Sequence, residues 1–219
     1  MIRIELPEEW RREVCVVREV TAEELDAHFT AEERQRIESF PREKRRAEWS
    51  ASRLALKLLS TETGLCDTAR ECVSTSAYRR PALELRGRLS ELQISITHSE
   101  GAGGAAISKE RIGIDLQKIR PLAERATKFF LSRAEVDMWR ALDLEDSLIH
   151  LWCAKEAGYK LHALPGWYKG VQVDLEAAHP EGLCLRYRDP RSEGTIETRR
   201  IGDDFILAVA KMEGALPRP

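Results

Sequence analysis

Nowhere in the chain does an apolar run approach the ~20 residues that a membrane-spanning helix requires. The opening stretch MIRIELPEEWRREVC also has no uninterrupted apolar core of the kind a secretory leader carries. The cytoplasm is therefore the expected compartment, with no membrane partner. Cysteine is scarce: Cys15, Cys66, Cys72, Cys153 and Cys184 are odd in number and include no C-x-x-C pair. That argues against a disulfide framework or a zinc site and for reduced thiols. Net charge is nearly absent, because 35 Lys and Arg face 37 Asp and Glu. No overall field then gathers nucleic acid or anionic lipid, nucleic acid is not an expected partner, and any polyanion site must be local. There is no low-complexity linker and no short repeat. The glycine-rich SEGAGG (Ser99–Gly104) lacks the spacing of a phosphate-binding loop or a dinucleotide fingerprint.

What is present is a chain of 219 residues with 42% hydrophobic residues, enough to bury a core in one ordinary domain or two half-sized lobes. Helical and extended patterns alternate, which predicts a mixed α and β fold. Ala47, Ala51, Leu54, Ala55 and Leu58 recur at the three-and-four spacing of an amphipathic helix with a basic outer face and Gly64 placed to end it. LQISITHS alternates Leu92, Ile94 and Ile96 with Gln93, Ser95 and Thr97, a strand ending at His98 and Ser99. AAISKERIGIDLQKI reads as a hairpin turning at Lys109 and Glu110, with Asp115 and Gln117 on one strand face. A second long helix is expected from about Leu144 to His162, and extended segments are expected at VQVDLEA, LCLRYRD and DFILAVAK.

Trp152, Glu156 and Lys160, spaced by four, share one face of the second helix. Taken alone, Glu156 and Lys160 read more readily as a surface ion pair, Asp115 equally as a carboxylate at a strand end, and SEGAGG more readily as a hairpin connection. Taken together, a strand carboxylate and a helix carboxylate make an oxygen-rich site for a hard cation such as magnesium. Adjacent lysines would balance the charge of a polyphosphate. The basic clusters REKRR (Arg42–Arg46) and YRRPAL (Tyr78–Leu83) fit a phosphate-rich ligand in the same way, although most such clusters are solvated faces.

These pieces resemble a known family. WCAKEAGYK (Trp152–Lys160) is similar to the WxxKE(A/S)xxK signature of 4'-phosphopantetheinyl transferases, and IGIDLQ (Ile112–Gln117) to their GxDxE motif. ITHSEGAGGAAIS (Ile96–Ser108), RRPAL and FLSRAE (Phe130–Glu135) resemble further segments of the family in the same order. The chain length resembles the larger, surfactin-synthetase type. The resemblance implies an α/β (α+β) fold of two similar lobes in pseudo-twofold arrangement, each a small mainly antiparallel sheet packed on a long helix, with the active site between them. The expected lobes are 1–105 and 106–219, in a monomer.

The activity implied is transfer of the phosphopantetheine arm of coenzyme A, the co-substrate, to a serine of an apo acyl, peptidyl or aryl carrier protein of fatty-acid, polyketide or nonribosomal-peptide synthesis. Carried over by position, Asp115, Glu156 and Lys160 are the catalytic residues, and Asp115, Glu156 and Gln117 hold Mg2+. Arg46, Arg80, Thr97, His98, Lys155 and Lys160 bind coenzyme A, and Glu135 is a further acidic position near the metal. Glu156 is also implied as acceptor of the serine proton, directly or through water. The chain departs from the pattern at Gln117, where the family has a carboxylate, at Thr97 and Arg80, and in KLHALPGWYKGVQV after Lys160. The competing readings are a catalytically degenerate coenzyme A-binding or scaffold protein and a magnesium-dependent phosphate hydrolase. Retention of Asp115, Glu156 and Lys160 together favours transfer.

Overall fold

In the computed structural model, which describes residues 1–77, 80–162, 171–189 and 192–212, the chain divides at Lys109/Glu110 into two units. Tyr78, Arg79 and most of the altered stretch after Lys160, residues 163–170, lie outside the described residues. No helix among the described residues is long and apolar enough to cross a membrane. The chain has the mixed α and β architecture expected, and every strand pair in its sheets is antiparallel.

The first unit runs β1 (Ile2–Arg3), β2 (Val14–Arg18), α1 (Ala22–His28), α2 (Ala31–Glu38), α3 (Glu43–Glu62), β3 (Cys72–Ala77), β4 (Arg80–Leu85), β5 (Arg88–Leu89), β6 (Gln93–Ser99) and β7 (Ala102–Ser108). Its main sheet has the order β1-β2-β7-β6, and β3-β4-β5 form a second sheet. The apolar stripe of α3 packs on the main sheet at Ala51, Leu54, Ala55 and Leu59, while Ala47 is exposed. Gly64 ends α3 as the spacing predicts. Its φ is +71°, its N–H donates to the Thr61 carbonyl and the Leu65 N–H to the Ser60 carbonyl, the paired closure that a left-handed residue permits. The strand with Ile94 and Ile96 forms as β6, but its polar face is not solvated: Ser95 and Thr97 are buried while Ile96 is half-buried.

The second unit runs β8 (Ile112–Lys118), α4 (Thr127–Phe130), α5 (Arg133–Arg140), α6 (Ser147–His162), β9 (Gln172–His179), β10 (Gly182–Asp189), β11 (Ser192–Ile201) and β12 (Phe205–Met212), in one sheet of order β8-β12-β11-β10-β9. The expected hairpin at Lys109 and Glu110 is not one. β7 pairs with β6 and β2, and β8 pairs with β12. Two alternating runs across a short polar connection look alike whether they pair with each other or pass from one unit to the next, and here both edges of β7 are already taken. β11 was not expected, because SEGTIETRRI mixes serine, threonine and charge into its alternation.

The two units repeat one device. Thr30 caps α2 and Ser132 caps α5, each in a reciprocal box with the glutamate three residues on, Glu33 and Glu135. Each glutamate also receives a buried lysine from the long helix. Lys57 of α3 lies 2.9 Å from Glu33, and Lys155 of α6 lies 2.7 Å from Glu135.

His150 of α6 is buried against Thr198 of β11, with Nδ1 2.8 Å from the hydroxyl. Burial, reinforced by the Arg200 charge, pushes its pKa down to about 4. A folded pKa below the unfolded value near 6.5 means that the unfolded chain binds the proton more tightly. The contribution is full above pH ~6.5 and is lost as pH falls toward 4, on the order of 3 kcal/mol in all. Denaturant unfolding between pH 7.5 and 4.5 is expected to show this loss, and His150→Gln is expected to flatten it.

Candidate functional site

α6 is buried nearly all round. Leu151, Cys153, Ala154, Lys155, Ala157 and Leu161 are all core residues, and the half-buried positions of its second half are Trp152, Glu156, Tyr159 and Lys160. The spacing of four that set Trp152, Glu156 and Lys160 on one face therefore describes the face that escapes burial. The partner of α6 is β8. Gly113 is the contact point, since a Cβ there would collide with the backbone of Ala157 and Leu161. The period of two then turns Asp115 and Gln117 to the same side as Gly113.

This places Asp115 at the centre of a polar group in the second unit. It is 3% exposed. Its Oδ1 accepts from Lys160 Nζ at 2.6 Å and its Oδ2 from Gln117 Nε2 at 2.7 Å. Lys160 Nζ also donates to the Ile114 carbonyl at 3.1 Å. Glu156 lies one helical turn before Lys160 on α6. From α6, the Cys153 thiol donates to the Asp115 carbonyl oxygen at 3.1 Å, and its full burial pushes the thiol pKa well above its usual value, so it packs and does not react. Among the described residues no three His, Cys, Asp or Glu side chains are grouped to hold a metal. The carboxylate of this group is Asp115, with the Gln117 amide beside it; Glu156 is the carboxylate on the helix that packs on β8.

Two of the expected site residues take other parts. Lys155 is fully buried, with its ammonium on Glu135 and on the Val171 carbonyl, contacts that make it a strut of the fold. Glu135, expected near a metal, is 3% exposed. Its carboxylate accepts from Ser132 N, Lys155 Nζ and Val173 N, leaving it occupied by the fold on both oxygens. The capping pattern Ser-x-x-Glu ahead of α5 was the available signal for this, and it went unread.

The other expected residues belong to the first unit. His98 on β6 lies with Nε2 2.8 Å from Arg45 Nη1 and Nδ1 3.4 Å from Glu48 Oε2. A guanidinium only donates, so Nε2 accepts and the ring proton faces Glu48. Neither Arg45 nor Glu48 was expected as a partner of His98. Both lie on α3, whose packing on β6 brings them there. Arg46 donates to the Phe40 carbonyl at 2.7 Å. Thr97 is buried, and Arg80 is half-buried at the start of β4, opposite Ala77.

Beside Gln117 the second unit has a largely apolar cavity of about 310 Å³, lined by Arg120, Leu122, Phe129, Phe130, Ile149 and Trp152 among others. The Trp152 ring meets Phe130 edge-on at 5.0 Å.

The family model for the 4'-phosphopantetheinyl transferase superfamily matches residues 111–210, the span holding Asp115, Glu156 and Lys160. Among curated proteins, the 4'-phosphopantetheinyl transferase Sfp of Bacillus subtilis (strain 168) is 26% identical over 152 residues, 66% of this chain. The alignment spans 64% of that relative's length, slightly under two thirds.

Proposed function

We propose, from the premise that this chain belongs to the 4'-phosphopantetheinyl transferase superfamily, that it moves the phosphopantetheine arm of coenzyme A onto a serine of an apo carrier protein in the cytoplasm. The single observation that carries this reading is Asp115 held between Gln117 and Lys160, on a strand packed against the helix that bears Glu156. Buried carboxylates with two fixed N–H donors are the outer-shell arrangement that ligating carboxylates need. With Glu156, the set fits a hard cation that takes few protein ligands and fills its other positions with water and phosphate oxygens. Asp115 and Glu156 would hold that cation, and when bound it would neutralise charge on the diphosphate.

The remaining work belongs to side chains. The serine oxygen attacks the β-phosphorus, the P–O bond to the α-phosphate breaks, and adenosine 3',5'-bisphosphate leaves. Lys160, anchored by the Ile114 carbonyl and Asp115, meets the charge that grows on the leaving phosphate. Glu156, half-buried on the open face of α6, takes the serine proton directly or through water. His98, held by Arg45 and Glu48, binds the nucleotide phosphates with Arg46, Arg80 and Thr97. The apolar cavity at Trp152 supports a carrier of the acyl, peptidyl or aryl class seated beside the site.

Intact-mass spectrometry of apo carrier proteins incubated with the protein, coenzyme A and Mg2+ tests the reading. The expected result is a gain of one phosphopantetheine on at least one carrier. Saturable coenzyme A binding with no gain on any carrier would establish the degenerate binder instead.

A further inference from the structure

We propose that Gln117 is a positioning residue: its amide nitrogen fixes the plane of the Asp115 carboxylate, and Gln117 is not itself a metal ligand. The inference rests on the reading of Asp115 as a metal-binding carboxylate. Gln117 Nε2 donates to Asp115 Oδ2 at 2.7 Å, and Lys160 Nζ to Oδ1 at 2.6 Å. Each carboxylate oxygen carries two lone pairs. The two donors take one on each oxygen and hold the group from both ends. Asp115 is 3% exposed, so bulk water competes poorly for these places.

For the Gln117 oxygen to share a cation with Asp115 Oδ2 at this contact, the amide would have to turn over. Its carbonyl oxygen would then stand where the nitrogen is, facing a carboxylate oxygen at hydrogen-bond distance with no proton between them. A carboxylate at 117 meets the same repulsion and needs a cation to relieve it, whereas an amide does not. The residue difference at 117 thus exchanges one function for another. It removes one negative charge from the donor set and adds a donor that orients the carboxylate opposite Ala208 on β12.

The test uses the whole protein labelled with nitrogen-15 and carbon-13, with the Gln117 side-chain amide assigned by its disappearance in Gln117→Met. One of its two protons is expected downfield, displaced by Asp115→Asn, and unmoved by Mg2+ with coenzyme A, while the Asp115 and Glu156 carboxyl carbons shift. In transfer assays Gln117→Met is expected to lose kcat by about 10- to 100-fold, with KM for coenzyme A within about twofold. Gln117→Glu, which cannot donate, is expected to do no better. Two results would overturn the proposal while leaving the metal reading standing: loss of the downfield proton on adding Mg2+ with the carboxyl shifts intact, or a Gln117→Glu variant with tighter metal binding and undiminished kcat. If Mg2+ and coenzyme A shift neither carboxyl carbon, the metal reading itself has failed, and the proposal fails with it.

Discussion

Asp115→Ala is expected to lower kcat/KM for phosphopantetheine transfer by about 10³-fold or more, with the fold retained. Asp115 is the acceptor on which Lys160 and Gln117 converge. On the proposed reading, its loss removes one of the two carboxylates that would hold a cation worth several kcal/mol of transition-state stabilisation, and each ~1.4 kcal/mol is a tenfold change in rate. It also frees Lys160, whose side chain is 27% exposed, from the contact that aims it. The main-chain ladder from Asp115 to Ala208 survives, so far-ultraviolet circular dichroism should be unchanged. Quenched reactions read by intact mass give the rate. A loss of less than about tenfold would show that Asp115 is a structural carboxylate.

Breaking the Glu135–Lys155 pair by either Glu135→Leu or Lys155→Met is expected to destabilise the protein by about 3–5 kcal/mol, because each leaves an uncompensated charge in the core. For a chain of this size that lowers Tm by roughly 10 °C. The double variant is expected to recover part of the loss. It recovers only part, because the backbone N–H groups of Ser132 and Val173 lose their acceptor. Thermal unfolding of the four proteins closes the cycle, and additive effects would show that the pair is uncoupled. Lys155→Met assayed well below its Tm should keep KM for coenzyme A within a few-fold. A large rise in KM with stability unchanged would return Lys155 to the role of a phosphate-binding residue.

Much of the second unit was legible in the sequence because period and packing agree there. The spacing of Trp152, Glu156 and Lys160 marked the open face of α6, and the period of two in IGIDLQ put Asp115 beside Gln117. The part that was not legible involves residues whose chemistry is ambiguous until their neighbours are known. A lysine next to a motif glutamate reads as ligand-binding. Only the capping box of α5, with the Val171 carbonyl, reveals that Lys155 points inward. Arg45 and Glu48 carry no periodic signal that marks them as partners of His98, because that contact depends on how α3 crosses β6. The repeated Glu–Lys device escaped a search for repeats since its four residues, Glu33, Lys57, Glu135 and Lys155, sit in otherwise dissimilar segments.

The pairing of β8 with β12 has a consequence for biosynthesis. Among the described residues, β8, with Asp115, is an edge strand made early in its unit, and the strand it pairs with, β12, is the last one described. Until the ribosome has released β12, the β8–β12 ladder cannot form, and the loop that must close between them spans almost the whole unit. Such non-local pairing makes folding slow. It also makes the proposed chemistry conditional on completion: a nascent chain displays every motif residue up to Lys160 before the proposed site can assemble.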